Sequence, residues 1–207
     1  TNATQPGQSR VIEKGTKNEF YTVNLFSDYS RQLGDHYFKV MGGFNAEHQN
    51  VRTLSAQRDG IIVPDLPTID TSTEQDVAGG GYNHWATAGF FGRLNYNYKE
   101  KYLLEVNGRY DGTSRFRPES RWGFFPSASA GWRISEEKFV KEFEPLSFIN
   151  NLKIRSSYGE MGDDGALNYQ FLTGYDYPSG GAVFGGEFIN GIGFRGIANT
   201  YLTWYTS

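Results

Sequence analysis

Apolar and polar residues alternate with a period of two through most of this chain, the pattern of half-buried β-strands. Six runs carry it: Glu19–Tyr29, His36–Gln49, Trp85–Tyr98, Tyr102–Asp111, Gly123–Ile134 and Asn151–Gly159. In the third, Ala86, Ala88, Phe90, Gly92, Leu94, Tyr96 and Tyr98 alternate with Thr87, Gly89, Phe91, Arg93, Asn95 and Asn97. In the fourth, Tyr102, Leu104, Val106, Gly108 and Tyr110 oppose Leu103, Glu105, Asn107, Arg109 and Asp111. Within the runs the charges collect on one set of positions: Asp28, Lys39, Glu47, Arg93, Glu105, Arg109, Asp111, Arg133, Lys153 and Arg155. Each strand therefore has an oily and a wet face. A sandwich would turn the oily face inward, a membrane barrel outward, and alternation alone fits both.

The links between runs favour a barrel. Residues 30–35 and 99–101 make short links of six and three residues, while 50–84 and 112–122 make long ones of 35 and eleven. Antiparallel neighbours joined this way place turns at one end and loops at the other, the plan of an up-and-down outer-membrane barrel. Tyr29, Tyr96, Tyr98, Tyr102 and Trp132 fall at the turn end of the oily face, and Tyr21, Tyr110, Phe124 and Tyr158 at the loop end, like the two aromatic girdles of such a barrel. The exception is 135–150, where Ser135 as N-cap, Glu136 and Glu137, a stripe of Phe139, Val140 and Phe143, and a stop at Pro145 predict a short helix inside a turn. The Gly-rich segment from Glu160 to about Asn199 reads as irregular, and Leu202–Ser207 as the start of another strand.

Composition agrees and narrows the chemistry. Of 207 residues, 26 are Gly and 16% are aromatic, and the mean hydropathy is -0.57. No apolar stretch is long enough for a membrane-spanning helix. The net charge of -3 supplies no basic field for nucleic acid. The absence of cysteine excludes disulfides, Cys-ligated metals and thiol nucleophiles. His36, His48 and His84 lie far apart in sequence, so no metal site is expected. Gly191–Gly196 has dinucleotide-type glycine spacing without a strand-then-helix context. Gly79–Gly81 lacks the Lys of a phosphate loop, and Asp163-Asp164 reads as a solvated turn rather than a calcium site. Glu105, Arg109 and Asp111 share a face and read as a solvated ladder with Arg93 across neighbouring strands rather than as a hydrolytic pair. No catalytic constellation, and so no enzyme or cofactor, is expected. Loop aromatics, among them Tyr82, Trp85, Phe116, Trp122, Tyr175 and Tyr177, suit either sugar stacking or loop packing.

GFFGRLNYNYKEKYLLEVNGRYDGTSRF (89–116), RWGFFPSASAGWRISEE (121–137) and LKIRSSYGEMG (152–162), with FKVMGGFNAE (38–47) and LSAQRDGIIVPDLP (54–67) before them, resemble the barrel of SusC/RagA-type TonB-linked outer-membrane proteins. The resemblance covers most of Phe38–Gly162. It implies a barrel of about 22 strands in the outer membrane of Bacteroidota, importing oligosaccharides or peptides. The TonB complex would drive it through a plug, and a SusD-like lipoprotein would close over its mouth. By that resemblance Lys39, Glu47, Arg93, Glu105, Arg109, Asp111, Lys153 and Arg155 face the lumen and meet substrate. Arg115, Phe116, Trp122, Tyr175 and Tyr177 belong to extracellular loops, and the oily face meets outer-membrane lipid. Residues 1–207 then read as an internal part of the barrel domain, without motifs of a plug or TonB box. Tyr205 stands where the family usually has an acid. The alternative expectation is a free-standing carbohydrate-binding β domain, soluble or surface-attached, with its oily faces packed together.

Overall fold

The computed structural model describes residues 9–74, 76–142, 145, 150–177 and 180–207. Its main feature is a six-stranded sheet in chain order: β1 (Arg10–Leu33), β2 (His36–Asp59), β3 (Asp76–Tyr98), β4 (Tyr102–Thr113), β5 (Trp122–Arg133) and β6 (Lys153–Gly159). This is an all-β meander, and β3 to β6 pair antiparallel. The chain divides into two compact units. One holds Thr1–Tyr21 and His48–Trp85, the other Thr22–Glu47 and Ala86–Ser207.

In the second unit the pairing register lines up the two faces. Leu94, Val106, Ala128 and Tyr158 form one row across β3–β6, and Phe90, Tyr110 and Phe124 another. On the opposite face Asn95, Glu105, Ser129 and Ser157 form a row, with Arg93, Asn107 and Ser127 beside it. The apolar rows stay open, with Leu94, Leu104 and Val106 about 40% exposed, so the oily face is not folded inward as in a sandwich. Buried apolar side chains among the described residues are few: Val11, Phe116, Phe125 and Val140.

Glycines let large rings lie flat on neighbouring strands. The Phe91 ring occupies the space where Gly43 would carry a Cβ, and the Phe125 ring does the same at Gly162. On the oily face Trp122 covers Gly112, its ring 2.7 Å from where a Cβ would stand, and stacks on Tyr110 at 5.0 Å.

The connection between β1 and β2 is tighter than the alternation implied. Gly34-Asp35 alone joins β1 to β2, with Gly34 at φ +58°. Lys99 and Glu100 both take positive φ, 53° and 54°, and Lys101 N–H donates to the Tyr98 carbonyl at 3.0 Å. Tyr98 pairs with Tyr102 across this turn, so the link is the three residues 99–101, as the alternation implied, with two left-handed residues where Asn or Gly is usual. The expected turn helix is displaced. Ile134–Glu136 forms a 3-10 turn, and the α-helix α1 covers only Lys138–Lys141 with Glu137, not Ser135, at its N-cap. Val140 is buried and Phe139 exposed, so they do not share a stripe; Phe143 lies outside the described residues.

Glu137 explains the displacement. Its carboxylate accepts from Tyr102 Oη at 2.7 Å, Lys101 Nζ at 2.9 Å and Trp132 Nε1 at 3.1 Å. The turn is thus latched to the ends of β4 and β5. Tyr102 stacks on Trp132 at 6.5 Å and on Tyr98 at 6.3 Å, continuing a row of aromatics at this end.

Corrections are larger in the first unit. The segment 50–84, expected as a loop, is mostly strand: β2 runs to Asp59 and β3 starts at Asp76. β1 and β2 are 24 residues each, well beyond the roughly 9–11 needed to cross a bilayer. Alternation fades here because both faces are polar, yet backbone pairing persists. The tip is tied by Arg10, which clasps Asp59 through two bonds of 2.8 and 3.0 Å. Arg58 also donates to the Glu74 and Ile69 carbonyls. A capping box between Thr68 and Thr71 fixes the 3-10 turn Ile69–Thr71.

Glu137 generates a pH prediction. Its three donors, Tyr102 first, hold it at about 2 instead of the ordinary 4.5. A depressed folded value stabilises fully above pH 4.5, and the contribution is lost as the pH falls from 4.5 toward 2. Trp132 fluorescence followed during acid titration should change in that window, and Glu137→Gln should remove that part of the profile.

Candidate functional site

The sequence-predicted wet face is real in the second unit, and its side chains pair laterally. Arg93 Nε donates to Asn107 Oδ1 at 2.6 Å. Asn107 Nδ2 donates to Glu105 Oε1 at 3.0 Å and to Ser127 Oγ at 3.2 Å. Asn107 is therefore a hub joining β3, β4 and β5. Arg109 clasps Asp111 with Nε and Nη2 at 3.0 and 2.9 Å, two positions along its own strand, and its guanidinium lies 5.7 Å from the Phe91 ring centre. The Asp111 carboxylate fills the space left by the missing side chain of Gly89.

The expected ladder thus splits in two: Arg93 joins Glu105 through Asn107, while Arg109 turns to Asp111 alone. Between them lies a pocket of about 320 Å³ lined by Met41, Phe91, Arg93, Arg109, Phe125 and Met161, among others. It mixes apolar and charged groups. A second pocket, about 330 Å³, gathers Glu105, Lys153 and Arg155. A third, about 240 Å³, has Glu47, Asp111, Asp164 and Trp204 on its walls. Lys39 stands apart, paired with Asp28 at 3.2 Å.

The loop candidates take different positions. Arg115 is held by Asp164 at 2.9 Å and Asn168 at 3.1 Å. Phe116 is 1% exposed and meets Trp204 edge-on at 5.6 Å, so its ring packs the loop and is not displayed. Trp122 is the first residue of β5 and lies with the oily rows, not in a loop. Tyr175 and Tyr177 are exposed, Tyr175 beside Phe194 at 6.1 Å.

The remaining strands are short. β7 (Gly162–Asp163) pairs with β12 (Tyr205–Thr206), so the final residues do form a strand. β8 (Tyr175–Asp176) pairs with β11 (Gly193–Phe194), and β9 (Gly181–Phe184) with β10 (Glu187–Asn190). Of the glycines of Gly191–Gly196, Gly193 opens β11 and the other two flank it, and no helix follows them among the described residues. No cluster of His, Asp or Glu suited to a metal occurs among the described residues.

Sequence reasoning missed Asn107 and Trp204. Trp204 Nε1 donates to the Arg121 carbonyl at 2.9 Å and packs Phe125 at 5.1 Å. The signal for Asn107 was available: the three-residue link 99–101 sets it opposite Arg93. Nothing local marks Trp204, whose contacts are made by tertiary folding.

Comparison with known proteins extends these observations. A family model described as TonB dependent receptor-like, beta-barrel, matches residues 1–207. TonB-dependent receptor P26 of Formosa agariphila is 32% identical over 207 residues, 95% of this chain and 19% of that protein. TonB-dependent receptor SusC of Bacteroides thetaiotaomicron is 32% identical over 161 residues, 75% of this chain and 16% of that protein. Among solved structures, that of the RagAB peptide transporter matches with a TM-score of 0.80 at 19% identity, covering 95% of this chain and 21% of that one; this likeness is one of fold. The chain spans about a fifth of the length of the relatives it matches.

Packing in the 114–121 loop is testable. Phe116→Ala should cost about 3–5 kcal/mol of local packing and loosen the loop. Limited trypsin digestion should then cut at Arg115, Arg117 or Arg121 at least several-fold faster than in the parent protein.

Proposed function

We propose a function from one premise: this chain belongs to the TonB-dependent receptor-like β-barrel family. Residues 1–207 are a stretch of barrel wall in an outer membrane of the Bacteroidota type. The rows containing Leu94, Val106 and Tyr110 face lipid, and the rows containing Arg93, Glu105 and Arg109 face the lumen. The barrel imports oligosaccharides or peptides, is energised by the TonB complex and works with a SusD-like surface lipoprotein. The long ends of β1, β2 and β3 and the loops at 114–121 and 160–199 are extracellular.

One observation carries this reading. The sheet keeps a continuous apolar face open while every strand from β3 to β5 presents hydrogen-bonded polar groups on the other. A soluble binding domain would bury the first face, whereas a barrel wall needs lipid on one side and a wet lumen on the other. The lumen pocket with Met41, Phe91, Arg109 and Asp111 suits cargo with both charged and apolar groups, as peptides have. Lys39, Glu47, Lys153 and Arg155 contribute charge to the same lumen.

Two measurements test the reading. Cysteine placed at Leu104 in the intact membrane protein should react with lipid-soluble probes, and cysteine at Glu105 with water-soluble ones; the reverse pattern rejects the orientation. Replacing Arg93 and Arg109 together with Ala should lower cargo uptake by cells about tenfold, the scale of one lost charge-assisted hydrogen bond, with an unchanged amount of assembled protein. Undiminished uptake rejects the lumen role.

A further inference from the structure

Two rows of the wet face meet at the pocket of about 320 Å³ in the second unit. Register sets Phe91, Arg109 and Phe125 side by side across β3, β4 and β5, and Arg93, Asn107 and Ser127 in the next row. The first row is apolar but for Arg109, and Met41 and Met161 line the same pocket. The second row is polar throughout. A molecule lying along the seam meets rings and thioethers on one side and hydrogen-bonding groups on the other.

The charges lining this pocket are Arg93, Arg109, Asp111 and Glu160. Arg109 and Asp111 neutralise each other in their two-bond clasp. Glu160 turns its carboxylate to the Tyr158 hydroxyl, which donates to it at 2.9 Å, and Tyr158 stands in the oily row with Val106 and Ala128. Arg93 is different. Its Nε donates to the neutral Asn107 amide, and it forms no ion pair with a carboxylate among the described residues. Glu105 is reached only through Asn107, which donates to it at 3.0 Å. A guanidinium carries five N–H donors, and of those on Arg93 only Nε–H is engaged among the described residues.

We infer that this pocket holds the carboxyl-terminal residue of a peptide, with an apolar side chain. The Nη donors of Arg93 form the fork that matches a carboxylate. The side chain lies against Phe91, Phe125 and the two methionines, whose flexible thioethers adapt to different shapes. The volume of about 320 Å³ stands at the small end of the roughly 300–1,000 Å³ of ligand pockets, room for a terminal residue and not for a length of chain. A neutral oligosaccharide brings no charge for Arg93, and an acidic side chain brings no apolar group beside its carboxylate. The inference rests on the import role proposed above and narrows its cargo.

Peptide capture by the intact, detergent-solubilised protein tests it, read by mass spectrometry of the peptides retained. The probes are short random-sequence libraries ending in Leu, as free acids and as carboxamides, and a free-acid library ending in Ser. The Leu acids should bind about tenfold tighter than the Leu amides, the scale of one charge-assisted hydrogen bond, and tighter than the Ser acids. Arg93→Gln should erase the acid–amide difference, and Arg93→Lys should keep part of it. Met41→Ser with Met161→Ser should erase the Leu–Ser difference and keep the acid–amide one, a split that general unfolding would not produce. Equal retention of acids and amides by the parent protein, or a difference that survives in Arg93→Gln, overturns the inference. So does selection of internal Asp or Glu without regard to the terminus, which would make this a pocket for acidic side chains. Failure to retain either library rejects the peptide cargo on which the inference rests, and is scored apart from the acid–amide ratio.

Discussion

Lateral pairing of the backbone is the constraint from which the rest of this structure follows. Each strand of the sheet spends its N–H and C=O groups on its neighbours, and in lipid no other partner exists for them. Once that ladder is fixed, side chains can point only to two faces, and a shift of one residue would exchange them. The oily rows and the polar rows are consequences of one register, set near Tyr98 and Tyr102 and carried through β4 and β5 to Ile154 and Lys153.

Register must also be held against slippage, and two devices do so at opposite ends. At the turn end, Glu137 gathers three donors from Lys101, Tyr102 and Trp132, clamping the feet of two adjacent strands with one carboxylate. Further along, rings sit on glycines: Phe91 on Gly43, Trp122 on Gly112, Phe125 on Gly162. A ring that fits only over a glycine fixes one strand against the next, because the neighbouring positions carry side chains that would collide with it. The high glycine content therefore serves aromatic packing here as much as loops.

The oily face, the strand order and the short-turn end were legible because period-two alternation records what each face touches. The pattern failed where its cause ceased. Beyond Gln49 the alternation fades, so much of 50–84, read as loop, is paired strand in β2 and β3. At Lys99-Glu100 the link was legible but not its left-handed pair, which these residue types do not advertise; the Arg93–Asn107 register follows from the three-residue length of that link. The wet face was legible as a set of charges, but not its connections. Arg109 chose Asp111, and Asn107 became the hub, by distances that only the folded sheet defines. Phe116 and Trp122 were read as loop aromatics because local sequence cannot tell a ring turned inward or laid on a strand from one held out to solvent.

The same three strands therefore perform different work along their length. Where β1, β2 and β3 carry Leu25, Val40 and Phe90, the face is chosen by apolar transfer, about 25 cal/mol per Å² of apolar surface moved out of water. Where they carry Lys17, Arg52 and Tyr82, that gain is absent, and a side chain remains free to be selected for what it binds. Backbone pairing does not distinguish these stretches, so the strand continues through both without a break. An up-and-down sheet can thus extend past the thickness that requires its oily face. The extra length costs little beyond chain ordering, since every added residue brings its own ladder bond. It supplies rigid, regularly spaced positions for polar chemistry that a flexible loop of equal length would have to order on binding.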